Sequence, residues 1–196
     1  MFGWINFSSL ILNIFLFSYL YILSIQPKKR EQRKGILVWK QSMRFRIIAS
    51  LFEFLIVTNM ILWIWYPIPI VNWKVHPNYI IGILVGILIS IPCVIILTKG
   101  MKDAGQETIQ PSQETQMYGG IYNYIRHPQS LGEFPLFITF ALMVNSWFLI
   151  ILMSGFVIIY VPIMIHYEEQ DLIRRFGEKY RQYQQRTGAI FPRFKK

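Results

Sequence analysis

Apolar runs of about 20 residues recur along this chain of 196 residues, and they constrain its fold more than any other feature. A helix of about that length is needed to cross the roughly 30 Å hydrocarbon core of a bilayer. Hydrophobic residues make up 54% of the sequence and charged residues only 15%, whereas a soluble domain has about 25% charged residues. Because lipid cannot satisfy backbone polar groups, the runs predict an all-α, polytopic membrane protein.

The apolar runs divide into five predicted transmembrane helices. Three are read directly from the runs at residues 3–25, about 47–66 and about 79–98. A fourth run, residues 131–166, is too long for one straight helix across a bilayer. Asn145 and Ser146 near its middle predict a tight helical hairpin, which supplies the fourth and fifth spans.

Lysine and arginine residues concentrate in alternate connections between these spans. Eight lie in residues 26–46, three in residues 99–128 and eight in the tail after residue 166, but Lys74 alone lies on the other side. The positive-inside rule therefore predicts an external N-terminus and a cytosolic C-terminus, which requires an odd number of spans. Five tryptophans fall near the predicted outer interface: Trp4, Trp63, Trp65, Trp73 and Trp147.

The formal net charge of +10 raises the question of a nucleic-acid partner. Basic loops beside membrane spans contact anionic lipid head groups, and no nucleic-acid-binding module is recognisable in the sequence. We therefore expect membrane lipids as partners, and no nucleic acid. The single cysteine, Cys93, excludes an intramolecular disulfide.

The stretch from Gly119 to Glu133 carries charged side chains at the mouth of the fourth predicted span. Arg126 and His127 precede the apolar run, and Glu133 lies roughly one and a half helical turns inside it. Ionisable groups within a membrane are costly and mark functional sites. For Glu133, an ion pair with a loop cation or a hydrogen bond to Tyr or Asn is the structural alternative. Glu53 in the second span raises the same question.

The basic tail carries an apolar stripe at helical spacing, formed by Leu172, Phe176, Tyr180 and Tyr183. This stripe predicts a cytosolic amphipathic tail helix packed on the membrane domain. Glu168 falls on the same stripe, so its carboxylate is directed inward and needs a cation. A bound cationic ligand, or a salt bridge to Arg126 or another basic residue, would supply one.

Other site chemistries lack a recognisable pattern. His166 with Glu168 and Glu169 does not have a known metal-ligand spacing, so we expect no metal. Neither a glycine-rich phosphate loop nor a nucleophile elbow occurs. Gly82 and Gly86 form a small-residue motif that permits either packing within the chain or dimerisation, and the oligomeric state is not readable.

Two motifs in the C-terminal half resemble those of the isoprenylcysteine carboxyl methyltransferase family. The first is Gly-Ile-Tyr-x-x-Ile-Arg-His-Pro-x-x-x-Gly over residues 120–132. The second is Glu-Glu-x-x-Leu-x-x-x-Phe-Gly-x-x-Tyr-x-x-Tyr over residues 168–183. They occur in the family's order, separated by an apolar hairpin, and the resemblance covers about residues 100–194. Membrane phospholipid N-methyltransferases share this signature.

The resemblance implies one integral membrane methyltransferase domain over residues 1–196, with three spans in residues 1–98 and the cofactor-binding half in residues 99–196. It implies S-adenosylmethionine as the methyl donor. Its pocket would be lined by Tyr122, His127, Pro128, Gln129 and Ser130 of the first motif and by Glu168 of the second, and the backbone near Met117 would flank the adenosine. Glu168 would hold the donor's ammonium group. We hypothesise that Arg126 orients an anionic group of the acceptor and that Glu133 tunes or deprotonates the acceptor.

Two departures from the family pattern bear on the acceptor. The family usually has Tyr at the position of Ser130, and the eukaryotic prenylcysteine enzymes have Arg at the position of Met164. The acceptor therefore stays open among a prenylated cysteine carboxylate, a phospholipid amine, and a small thiol or lipid acid. Two alternatives of another class are an NADPH-dependent sterol-type reductase and a non-catalytic membrane subunit.

Overall fold

The computed structural model describes residues 1–113 and 119–193, and within them it is built from α-helices and short 3-10 turns without a β-strand. The all-α prediction is confirmed. In chain order the α-helices are α1 (Phe2–Ser24), α2 (Pro27–Lys34), α3 (Val38–Leu62), α4 (Tyr79–Ala104), α5 (Pro128–Met143), α6 (Trp147–Phe176) and α7 (Glu178–Arg186).

Four of the described helices are long and apolar enough to cross a membrane, namely α1, α3, α4 and α6. The chain is therefore an integral membrane protein. Helix α5 has 16 residues and, at 1.5 Å per residue, spans about 24 Å, which is less than the roughly 30 Å hydrocarbon core. The predicted count of five spanning helices is not confirmed, because α5 is too short to qualify by itself.

Helices α5 and α6 form the hairpin predicted at Asn145 and Ser146. Asn145 adopts a left-handed backbone conformation with φ 62°, which asparagine tolerates better than most residues. Its side-chain oxygen accepts a hydrogen bond from the His76 backbone N–H at 2.9 Å, and its amide donates to the His76 carbonyl at 2.7 Å. Ser146 then caps α6 by accepting from the Leu149 N–H. The connection before α4 thus holds the hairpin turn.

The three basic segments lie at one end of the helical bundle. The carboxylate of Asp171 accepts hydrogen bonds from the backbone N–H groups of Lys28 and Lys29 at 3.2 and 2.8 Å. Arg46 donates to the carbonyl oxygen of Glu107 at 2.7 Å. These contacts join the first loop, the segment after α4 and the end of α6. The basic segments therefore share one end of the bundle, as expected if successive connections lie on opposite sides of the membrane. The assignment of this end to the cytosol stays a prediction.

The tryptophans at the opposite end do not all face a membrane interface. Trp63 is 2% exposed, and its ring stacks on Phe148 with a centroid distance of 5.2 Å. Trp63 is therefore buried between α3 and α6 and does not face lipid, and the placement of the five tryptophans near the outer interface stays a prediction. The remaining four, Trp4, Trp65, Trp73 and Trp147, are exposed.

Gly82 and Gly86 serve packing within the chain. A Cβ atom on Gly82 would lie 2.8 Å from the Leu142 carbonyl oxygen, and one on Gly86 would lie 2.5 Å from the Met143 side chain. The small residues therefore let α4 and α5 approach closely. Beside them, the hydroxyl of Ser90 donates to that of Thr139 at 2.8 Å.

The tail does not form the single amphipathic helix that the stripe predicted. Helix α6 continues past the apolar run to Phe176, and Gly177 with φ 60° separates it from α7. A left-handed residue ends a helix, and glycine adopts that conformation without a Cβ penalty. The stripe is therefore divided between two helices. Leu172 on α6 and Tyr180 on α7 are nevertheless both buried, and Glu168 lies on α6.

Candidate active site

The Arg-His-Pro motif is held in place by the tail of the chain. The backbone N–H of Arg126 donates to the Gly188 carbonyl at 2.9 Å, and the N–H of His127 donates to the Ala189 carbonyl at 3.0 Å. Ile125 and Gly188 form a short parallel bridge at the same place. Since Pro128 begins α5 with a ring suited to a first helical turn, the motif is fixed on both sides.

His127 is clamped between two carboxylates of α6. Its Nδ1 lies 2.9 Å from Oε2 of Glu168, and its Nε2 lies 3.0 Å from Oε1 of Glu169. Carboxylates only accept hydrogen bonds, so both ring nitrogens must donate, which requires an imidazolium. Burial alone lowers the pKa of His127, but the adjacent carboxylates of Glu168 and Glu169 outweigh it and raise the pKa to about 9.

Arg126 links the tail to α6. Its Nε donates to Oε1 of Glu169 at 2.7 Å, and its terminal nitrogen donates to the backbone carbonyls of Gln184, at 3.2 Å, and Thr187. These contacts give the guanidinium a structural task. The sequence-based role for Arg126, orienting an acceptor, stays a prediction, and in this structure the group is engaged by the protein itself.

Glu168 obtains its cation from His127 rather than from Arg126. Among the described residues, hydrogen bonds reach its Oε2 atom, and its side chain is 32% exposed. The exposed part lines a pocket, so one carboxylate oxygen keeps the capacity to accept from a ligand. The site thus combines a pinned imidazolium with a carboxylate that is partly available.

A narrow polar pocket of about 70 Å³ lies at this end of the bundle. Six of the sequence-predicted site residues line it: Tyr122, Arg126, His127, Gln129, Ser130 and Glu168. Pro128 does not, because it is the first residue of α5 and packs beside Gly100. Met117 lies outside the described residues. The two motifs therefore converge on one pocket, although 41 residues separate His127 from Glu168 in sequence.

Hydrogen-bonded tyrosines form one wall of this pocket. The side-chain amide of Gln129 donates to the Tyr122 hydroxyl at 2.9 Å and to the Thr108 hydroxyl at 3.1 Å. The Tyr183 hydroxyl donates to the Tyr122 carbonyl at 2.5 Å. Burial raises the pKa of Tyr122 and raises that of Tyr183 to about 12, so both hydroxyls stay neutral at physiological pH.

A larger cavity of about 370 Å³ adjoins the narrow pocket and shares four lining residues with it, Tyr21, Arg46, Thr108 and Gln129. The other lining residues are mostly apolar, but two are carboxyl-bearing: Ile47, Ser50, Glu53, Leu97, Met101, Ile109 and Glu133. Glu133 therefore does not join His127 and Glu168. It lies in this second cavity, in hydrogen-bonding reach of Glu53.

Residues that the sequence did not single out complete the site. Arg175 pairs with Glu107 at 2.7 Å, and both side chains are 7% exposed. Arg46 lies where the two cavities meet. No local signal reveals the Glu107–Arg175 pair, because 68 residues separate its members. Arg46, the last basic residue before a membrane span, was visible only as one cation of a basic loop.

The chain matches a known protein family over about half of its length. A family model described as phospholipid methyltransferase matches residues 76–179. This range begins in the connection before α4 and ends in α7. It therefore contains the Arg-His-Pro segment and both carboxylates that hold His127.

Similar curated proteins are named methanethiol S-methyltransferases. The protein from Bradyrhizobium diazoefficiens is 28% identical over 148 residues, which is 68% of this chain and 50% of the relative. That from Pseudomonas deceptionensis is 28% identical over 151 residues, or 70% of this chain and 55% of the relative. That from Crocosphaera subtropica is 26% identical over 145 residues, with shares of 68% and 55%. The chain spans about half the length of the curated relatives it matches.

Proposed function

The chain belongs to the phospholipid methyltransferase family, and from this membership we propose that it is an S-adenosylmethionine-dependent methyltransferase that acts within a membrane. The observation that carries the proposal is the narrow pocket in which Glu168 presents a partly exposed carboxylate beside His127. A methyl donor with an ammonium and a sulfonium group is a cation that such a carboxylate can bind.

The residues of the narrow pocket fit the charged end of this donor. Glu168 would accept hydrogen bonds from the ammonium group through the oxygen that His127 leaves available. The pocket is bounded by Tyr122, Gln129 and Ser130, which present neutral hydrogen-bonding groups. A volume of about 70 Å³ suits such a group, and not a whole nucleoside. We retain Met117 as a prediction for the adenosine side of the donor.

Methyl transfer requires little of the protein beyond positioning the acceptor against the methyl donor. When bound, the donor supplies a methyl group on a positively charged sulfur. The protein aligns the acceptor with that group and excludes water, and such alignment can account for several kcal/mol of the barrier. His127, held by two carboxylates, fixes the first turn of α5 relative to α6, so it positions the walls of both cavities.

We propose that the acceptor is a lipidic or membrane-soluble molecule that occupies the larger cavity. The supporting observation is its lining, in which Ile47, Leu97, Met101 and Ile109 surround two carboxyl groups. A phospholipid amine is the acceptor class that the family description suggests. A small thiol is the second candidate, because the relatives are named for methanethiol S-methylation. Both fit a partly apolar cavity of about 370 Å³.

Calorimetry on the full chain in detergent tests the proposed donor. Titration with S-adenosylhomocysteine should show saturable binding, and titration with NADPH should show none. Glu168→Gln should weaken S-adenosylhomocysteine binding about tenfold or more, since it removes a charge-assisted hydrogen bond. Glu178→Gln is the matched control, because Glu178 is exposed on α7 and should bind as the wild type does. NADPH binding would support the reductase alternative, and binding of neither ligand would support a non-catalytic subunit.

A further inference from the structure

The larger cavity carries an unusual set of ionisable side chains for a position between membrane helices. In its described lining these are Tyr21 of α1, Arg46 and Glu53 of α3, and Glu133 of α5. Glu53 and Glu133 both line this cavity, and their carboxyl groups lie within hydrogen-bonding reach of each other. Since a carboxylate has no proton to donate, a hydrogen bond between them requires that the pair keep at least one proton. Two adjacent carboxylates without water would otherwise repel each other.

Arg46 gives the pair its counter-charge. It attracts Glu133 electrostatically and lines both the larger cavity and the narrow pocket. Its terminal nitrogen donates to the carbonyls of Glu107 and Thr108. Its Nε is buried and has no hydrogen-bond partner among the residues that the structure describes. A buried, unpartnered donor beside a cavity indicates that a polar ligand or a carboxylate is expected there.

We propose that Glu53 and Glu133 act together as the proton acceptor for a methyl acceptor whose reacting atom carries a hydrogen, a thiol or an amine. The pair, stabilised by Arg46 in a singly protonated form, also selects against a carboxylate acceptor. This inference rests on the proposed methyltransferase function. It gives Glu53 a role in proton transfer, although the sequence offered no motif around this residue. It also narrows the acceptors that the sequence left open to thiols and amines.

The charge balance of the step is simple. The acceptor's S–H or N–H proton passes to the ionised carboxylate of the pair, which then carries two protons. The electron pair of the acceptor's sulfur or nitrogen forms the bond to the methyl carbon. The carbon–sulfur bond of the sulfonium breaks, and its electron pair stays on sulfur as a thioether. The pair later returns one proton to water. A carboxylate acceptor has no such proton and would add a third acidic group to the cavity, which is costly between membrane helices.

Binding measurements without a methyl donor test the selectivity. Decanethiol, decylamine and decanoate have the same chain and differ in the head group. In detergent, the wild-type protein should bind the thiol or the amine at least about tenfold more tightly than decanoate. Glu133→Gln should reduce that preference about tenfold, and Ser50→Ala, a neutral change in the same lining, should not alter it. If the wild-type protein binds decanoate as tightly as it binds the thiol and the amine, the proposal is wrong, and no variant is needed to show it.

Infrared spectroscopy of the purified chain tests the shared proton. The absorption of a protonated carboxylic acid should be present at neutral pH in the wild type and absent in both Glu53→Gln and Glu133→Gln. Its persistence in both variants would contradict the pair. S-Adenosylhomocysteine titration separates the two levels of inference. If the wild type binds S-adenosylhomocysteine but does not distinguish the three head groups, only the role proposed for Glu53 and Glu133 is wrong. If the wild type does not bind S-adenosylhomocysteine, the proposed methyltransferase function itself is wrong.

Discussion

Nδ1 of His127 lies 2.9 Å from Oε2 of Glu168, and this contact joins the first turn of α5 to the end of α6. The two residues belong to different sequence motifs. Glu169 approaches the other ring nitrogen, and Arg126 approaches Glu169 in turn. Two cations and two carboxylates therefore form one network at the mouth of the site, which is largely buried except at Glu168. Its stability and its response to ligands can be measured.

Replacing His127 by glutamine should destabilise the protein. The change removes the positive charge between Glu168 and Glu169 and leaves two mostly buried carboxylates with less compensation. We expect a loss of about 2 kcal/mol, less than for a fully buried pair because Glu168 is partly exposed. Thermal unfolding in detergent measures the effect. His166→Gln is the control, since His166 is exposed on the same helix as the two carboxylates. Equal melting temperatures for the two variants would contradict the network.

The stabilising effect of His127 should depend on pH in a defined direction. Its pKa is raised from 6.5 in the unfolded chain to about 9 in the folded protein by Glu168 and Glu169, although burial opposes the shift. A raised pKa means that the stabilisation is complete below about pH 6.5 and is lost as the pH rises to about 9. The difference in melting temperature between the wild type and His127→Gln should shrink between pH 6 and pH 9.5 (both set by that window). A constant difference would show that the ring acts only by its shape.

Binding of a cationic donor at Glu168 should release protons. A second positive charge beside the carboxylate lowers the pKa of His127, so part of the imidazolium loses its proton near pH 8. The donor's own amino group also titrates at about pH 8, so the comparison is between variants. Titration calorimetry with S-adenosylmethionine in buffers of different ionisation enthalpy should show that the wild type and Glu178→Gln release more protons per site, by less than one, than His127→Gln does. Equal proton changes in the wild type and His127→Gln would place the donor's charge away from His127.

Gly132→Ala should disrupt the contact between α4 and α5. A Cβ atom at this position would lie 2.5 Å from the Leu97 nitrogen and 2.6 Å from the Cys93 carbonyl oxygen. Neither backbone atom can move without shifting α4, so we expect a loss of about 1–3 kcal/mol. Gly155→Ala is the matched control on α6, because nothing lies within 4 Å of its added methyl group. The control should be neutral or slightly stabilising, and the melting temperatures of the two variants provide the comparison.

The position of Glu168 illustrates how far local sequence patterns could lead. The apolar stripe correctly placed its carboxylate toward the protein and showed that it needed a cation. The partner proved to be His127 and not Arg126, because the relative height of α5 and α6 decides which cation reaches it. The same stripe wrongly joined α6 and α7 into one helix, since periodicity alone does not reveal that Gly177 adopts a left-handed conformation.

Hydropathy and turn chemistry, which act over neighbouring residues, were enough to predict the helical membrane architecture and the hairpin at Asn145. The resemblance of two motifs to a known family implied that they meet at one pocket. Tertiary structure alone decided that Glu53 meets Glu133, that Arg175 meets Glu107, and that two cavities adjoin at Arg46. Such pairs lie on different helices, and their distances depend on how the helices are packed and displaced along their axes.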